Sequence, residues 1–149
     1  MVYKKEVKSN NKKVVYDYSL VNRSVLNTKT NYFFKTNKVN KKEVFKYNKK
    51  GKVYNYCTFK INKKNKFVNV YQSKKSYNKN NSVKEYSIVK KDINNKKVFA
   101  SLSKYKNNKK YKYVKYEYKK GVFNKRFEYI FNNKYQLREN KNSKAIRYT

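Results

Sequence analysis

The chain has 149 residues, 42 of them Lys or Arg against eight Asp or Glu, with no histidine, one cysteine and a net charge of +34. Without histidine it lacks the commonest general base and metal ligand, and the single thiol, Cys57, excludes an intrachain disulfide or a cysteine-built metal site. No apolar run approaches the roughly 18 residues of a membrane span, and Met1-Val2-Tyr3-Lys4-Lys5-Glu6 lacks the apolar centre of a signal peptide.

In chain order, Val2 to Lys8 is a weak strand candidate. Lys13 to Val21 is a good one, by its β-branched and aromatic content. Val25 to Phe34 closes on Tyr32-Phe33-Phe34, a candidate core anchor. A hairpin follows: Val44 to Tyr47 runs into Asn48-Lys49-Lys50-Gly51 and returns as Val53 to Phe59. The returning strand puts Val53, Cys57, Phe59 and Ile61 on one face and Tyr54, Tyr56 and Lys60 on the other. Cys57, at an alternating position, reads as a small core residue.

After the turn-like Asn62-Lys63-Lys64-Asn65 comes a short strand from Phe67 to Tyr71, then a Ser-, Lys- and Asn-rich loop over 73–82. Val83 to Ile93 fits either a helical stripe or a strand. Val98 to Tyr105 alternates as a strand, and Asn107-Asn108-Lys109-Lys110 leads into a hairpin over 111–131. There the spacing predicts a three-residue loop, Lys119-Lys120-Gly121, with glycine at the left-handed position. That loop would set Tyr118 opposite Val122, Tyr113 opposite Phe127, Tyr111 opposite Tyr129 and Lys112 opposite Glu128. Tyr111, Tyr113, Phe123, Phe127, Tyr129 and Phe131 would share one face, and Lys112, Tyr116, Tyr118, Asn124 and Arg126 the other. Asn132-Asn133-Lys134 reads as a further tight connection, to a strand at 135–138.

Strand starts at this spacing predict an all-β fold: an antiparallel meander of about eight strands, a curled sheet or small barrel. One basic domain is expected over 1–139, with a disordered or extended basic tail over 140–149. Leu, Ile, Val and Phe make up roughly 23% of the chain, just above the ~20% at which a highly charged chain stays disordered. The strand-period spacing and the 18 tyrosines argue for order.

The eight carboxylates are scattered, and two isolated glycines cannot build a phosphate loop or a dinucleotide fingerprint. No enzyme, cofactor, metal or small-molecule substrate is expected. A basic surface interleaved with aromatics remains. Lysine holds phosphate as a point charge, tyrosine offers a face to unpaired bases, and the pairing favours single-stranded or irregular RNA over duplex DNA. The candidate residues are Lys49, Lys50, Tyr54, Tyr56, Lys109, Lys110, Lys112, Tyr116, Tyr118, Lys119, Lys120 and Arg126.

The leading expectation is an intracellular RNA-binding structural protein, a ribosomal component of an organelle or an AT-rich microbe, with other ribonucleoprotein proteins as neighbours. A viral or nucleoid DNA-packaging protein is one alternative, placed in a virion in the viral case. A sheet module for an acidic protein or anionic surface is the other, its lysine inherited from codons rich in A and T.

Overall fold

A computed structural model describes residues 3–19 and 25–131 and the backbone of 137–144. Every regular element among them is a strand: β1 (Tyr3–Lys8), β2 (Lys12–Tyr18), β3 (Leu26–Lys35), β4 (Lys38–Tyr47), β5 (Val53–Ile61), β6 (Phe67–Tyr77), β7 (Val83–Lys91), β8 (Lys97–Lys106), β9 (Lys109–Lys119), β10 (Val122–Phe131) and β11 (Leu137–Lys144). No helix among the described residues is long and apolar enough to cross a membrane.

The chain divides into two compact units, residues 1–72 and 73–149, with the division falling inside β6. Within each unit the strand order is the chain order. Neighbouring strands are antiparallel from β1–β2 to β4–β5 in the first unit and from β7–β8 to β10–β11 in the second. In neither unit does the first strand pair with the last, so the meander is open and the small barrel is not formed.

More strands form than the eight expected because the weak first segment and the ambiguous one after Val83 are both strands, and apolar alternation also understates the length of two others. β4 begins at Lys38, ahead of Val44, and β6 runs on through Gln72-Ser73-Lys74-Lys75-Ser76-Tyr77. Those polar residues were expected in a loop, but both faces of an open sheet meet water, so a strand here needs no apolar face. The ambiguous segment beginning at Val83 is β7, a strand. The expected tail boundary at residue 140 falls inside β11, which pairs with β10 as far as Lys144; the rest of that tail, and the connection expected at 132–134, lie outside the described residues.

The turns follow two designs. Between β3 and β4, β8 and β9, and β9 and β10, two residues both take positive φ: Thr36 and Asn37 (49° and 63°), Asn107 and Asn108 (52° and 63°), Lys120 and Gly121 (51° and 80°). This is the tight hairpin turn whose twist matches that of the strands. The loop at 119–121 is therefore one residue shorter than expected, with Lys119 paired to Val122.

The second design occupies Asn48–Lys52, Asn62–Lys66, Asn78–Ser82 and Asp92–Lys96. The first residue's N–H donates to the fifth residue's carbonyl at 2.8–2.9 Å, and the fourth residue has positive φ. In three of the four, the first residue's Oδ1 also accepts from the N–H groups two and four positions on, as Asn48 does from Lys50 and Lys52 at 3.0 Å each. Gly51, Asn65, Asn81 and Asn95 hold the left-handed position, which asparagine tolerates better than most residues.

The turns belong to a longer repeat. Residues 47–73 return at 77–103 without a gap, matching at Tyr47/Tyr77, Asn48/Asn78, Lys49/Lys79, Val53/Val83, Tyr56/Tyr86, Lys60/Lys90, Asn65/Asn95, Lys66/Lys96, Val68/Val98 and Ser73/Ser103.

Each unit is one layer thick. Among the described residues only Val15, Cys57 and Val114 are buried apolar side chains, and no large side chain is fully enclosed. Val15 and Cys57 sit in one cross-strand row, Val15–Thr30–Val44–Cys57, and Val114 centres Leu102–Val114–Glu128. With no second layer to press against, side chains pack sideways along such rows, and cross-strand pairs stabilise the sheet.

A candidate nucleic-acid interface of lysine and aromatic rows

In the first unit, alternation and register place Lys12, Tyr16, Lys29, Asn31, Phe33, Lys41, Glu43, Phe45, Tyr56 and Thr58 on one face. A row crosses it from β2 to β6. The Lys29 ammonium lies 5.8 Å from both the Tyr16 and Phe45 rings, Phe45 is 4.7 Å from Tyr56, and Tyr56 is 5.9 Å from Tyr71. Beside it, Asn31 Nδ2 donates to Glu43 Oε1 at 3.3 Å and the Tyr56 hydroxyl donates to Glu43 Oε2. Burial, and then the bond to Glu43, raise the Tyr56 pKa. In the next row, Lys12 and Lys41 sit over Phe33 at 5.6 and 5.4 Å. The opposite face carries Lys13 over Tyr32 at 4.9 Å and Lys42 between Phe59 and Phe67 at 4.7 and 4.4 Å.

The second unit repeats the pattern. One face carries Lys90 over Phe99, Lys110 over Tyr113, Lys115 over Phe127, and Tyr113 stacked on Tyr129 at 5.9 Å. The other carries Lys112, Tyr116, Tyr118, Phe123, Arg126 and Glu128. Arg126 lies 5.9 Å over Tyr116, while Phe123 is 6.1 and 6.0 Å from Tyr116 and Tyr118. Lysine over an aromatic ring recurs on both faces of the first unit and on one face of the second, and on the remaining face Arg126 covers Tyr116 and Lys97 lies over Tyr118.

Glu128 anchors its face. Its side chain is 11% exposed and takes Lys112 Nζ at 3.1 Å and Arg126 Nη1 at 3.0 Å. The bond from Lys112, opposed by burial and reinforced by Arg126, holds the Glu128 carboxyl below its ordinary value. Burial works against the charge on Arg126, but Tyr116 and Glu128 outweigh it and the guanidinium pKa is raised.

The register corrects the expected pairing. Tyr113 faces Tyr129, not Phe127; Tyr118 faces Phe123, not Val122; Lys112 faces Ile130 and reaches Glu128 on the diagonal. A bulge at Asn124 causes part of this: it shifts the register between Phe123 and Lys125, putting Phe123 with Tyr116 and Tyr118 and away from Tyr113.

The twelve residues singled out from sequence do not form one cluster. Lys112, Tyr116, Tyr118 and Arg126 share a face. Lys110 lies with Tyr113 on the other. Lys109 and Lys119–Lys120 stand at opposite ends of β9, about 30 Å apart at strand rise. In the first unit Lys49 and Lys50 are exposed on the turn, Tyr54 is 42% exposed as the extra residue of a bulge, and Tyr56 is tied into the Glu43 cluster.

Sequence reasoning missed Lys12, Lys13, Lys29, Lys41 and Lys42 with the rings they cover. The signal lay in like-with-like dipeptides: Lys12-Lys13, Tyr32-Phe33 and Lys41-Lys42 place one member of each type on each face.

No protein-family model and no curated protein matches the chain. Among solved structures it is similar to a DUF3836 family protein from Parabacteroides distasonis ATCC 8503, at 12% identity and a TM-score of 0.29 over 99% of this chain and 94% of that one. A protein with unknown function from Bacteroides fragilis NCTC 9343 gives 12% identity and a TM-score of 0.27 over the same shares. Likeness at this level carries no argument about fold or function.

Proposed function

We propose that the chain is a non-enzymatic structural protein that binds single-stranded or irregular RNA, as a ribosomal component of an organelle or an AT-rich microbe. One observation carries the reading. Described lysines such as Lys12, Lys13, Lys29, Lys41, Lys42, Lys110 and Lys115 are set against aromatic rings, and the chain's eight carboxylates cannot pair its 42 basic residues. A sheet so charged repels itself, with counter-ions screening over only about 8 Å at physiological ionic strength. A phosphate polymer relieves the repulsion and releases its own counter-ions. Open sheet faces bearing aromatics also suit unpaired bases, which stack on such rings.

The test is purification under native conditions, reading the 260/280 nm absorbance ratio before and after nuclease. RNase alone should strip the bound nucleic acid. Sensitivity to DNase instead would move the reading to a DNA-packaging protein, and a clean protein peak at low salt would end both. If six to ten phosphates are held, affinity should fall about 10³- to 10⁵-fold between 50 and 200 mM salt.

A further inference from the structure

We infer that the first unit binds two RNA strands at once, one on each side of its sheet. This rests on the RNA-binding reading and adds a stoichiometry to it.

The motif that carries the inference sits where β2, β3 and β4 run side by side. In register, Lys12 pairs with Phe33 and Phe33 with Lys41, while Lys13 pairs with Tyr32 and Tyr32 with Lys42. Neighbours in a strand point to opposite faces. Three adjacent dipeptides therefore build two copies of one arrangement, back to back: an aromatic ring with a lysine on either side. On one face both ammonium groups lie over the ring, at 5.6 and 5.4 Å. On the other, Lys13 lies 4.9 Å over Tyr32, while Lys42 turns outward to Phe59 and Phe67.

Neither row contains a carboxylate. The Phe33 row continues to Lys60 and the Tyr32 row to Lys8. Glu43, one row away, is engaged by Asn31 and Tyr56. Both rings and all four lysines are half-buried, so each keeps part of its surface open to solvent. The cation–π contacts give the lysines a resting place in the unbound protein, at ~0.5–1 kcal/mol each for exposed pairs. A phosphate is the stronger partner for an ammonium group. Its arrival would draw the lysines off the ring and expose the ring to a base.

A fold with a filled core spends one side of its sheet on packing. Within the first unit neither side is spent on a core, so the two clamps are equivalent in kind and a strand held by one does not block the other. A protein of this form bridges nucleic acid strands as well as coating them.

The experiment uses the full chain with two short oligo(U) RNAs, one carrying a donor fluorophore and the other an acceptor. Binding of two strands to one sheet brings the dyes within energy-transfer range, and titration should give at least two strands per chain. The variants Lys12→Ser/Lys41→Ser and Lys13→Ser/Lys42→Ser each empty one face and leave the other as its own folding control. Each should lower the stoichiometry by one and cut the transfer signal by at least half, while the matching Lys→Arg pairs keep both. One strand per wild-type chain, or a transfer signal indifferent to either Ser pair, overturns the bridging and leaves RNA binding standing. No binding of oligo(U) by the wild type removes both.

Discussion

Lys112 Nζ lies 3.1 Å from Glu128 Oε1, although the two residues are diagonal and not opposite across β9 and β10. Lys112 and Glu128, placed opposite each other by the expected loop, thus meet as an ion pair in a different register, because a lysine stem is long enough to reach over one step of the ladder. Arg126 completes the cluster from its own strand.

Glu128→Gln should lower stability by about 1–3 kcal/mol at neutral pH, since it removes a nearly enclosed charge-assisted acceptor and leaves Lys112 and Arg126 facing each other. The Glu128 pKa is lower in the folded chain than its ordinary value, so its contribution is complete above the unfolded value of about 4.3 and is lost as pH falls through the folded one. Urea unfolding of wild type and variant should differ at pH 7 and converge in acid.

Tyr56→Phe should cost about 1 kcal/mol, the net value of an ordinary hydrogen bond, by taking from Glu43 its hydroxyl donor. A raised tyrosine pKa works in the opposite sense to Glu128: its contribution is present below the unfolded value of about 10 and is lost as pH rises through the folded one. The gap between wild type and variant, measured by urea midpoints, should therefore close in alkali.

The two glycines should respond differently to substitution. Gly51 has positive φ and nothing within 4 Å of an added Cβ, and its counterparts in three sibling turns are asparagines. Gly51→Asn should be nearly neutral, and Gly51→Ala should cost about 1 kcal/mol of backbone strain. At Gly121 an added Cβ would lie 3.2 Å from Lys96 Cβ as well, so Gly121→Ala should cost more than Gly51→Ala. Thermal midpoints of the three variants give the order.

Tyr54 and Tyr118 separate stacking from support. Tyr54 is 42% exposed, whereas Tyr118 packs on Phe123 and beneath Lys97. Tyr54→Ala should weaken single-stranded RNA by up to ~1–3 kcal/mol, the measured range for one stacked base, with duplex DNA and thermal stability little changed. Tyr118→Ala should lower stability as well. Fluorescence anisotropy and thermal unfolding on the same samples distinguish the two, and equal losses on RNA and duplex would discard stacking.

The all-β class, most strands and the glycine turns were legible because β-branched and aromatic residues alternate there and glycine marks the left-handed position. What escaped has physical causes. Ser73–Tyr77 and Lys38–Glu43 carry little apolar pattern, and an open sheet with two wet faces does not require one. Asn65, Asn81 and Asn95 do the work of Gly51, so composition marks Asn62–Asn65 as a turn and 73–82 as a loop, but glycine alone does not reveal that these and the Asp92–Lys96 turn share one design with Gly51. The bulge at Asn124 rearranges Phe123 through a backbone irregularity that alternation cannot foresee. The lysines over Phe33, Tyr32 and Phe45 read as surface charge until registers bring them beside those rings.

The run shared by residues 47–73 and 77–103 has a consequence for how such a sheet can change its size. In a fold wrapped round an interior, an added hairpin must be fitted to a fixed volume. Within each unit here, a strand is held almost wholly by the one before and the one after, so energies accumulate along one dimension, as in solenoid arrays. Duplication of a hairpin within a unit then adds strands to its sheet at little structural cost, and every copy brings its own lysines on both sides.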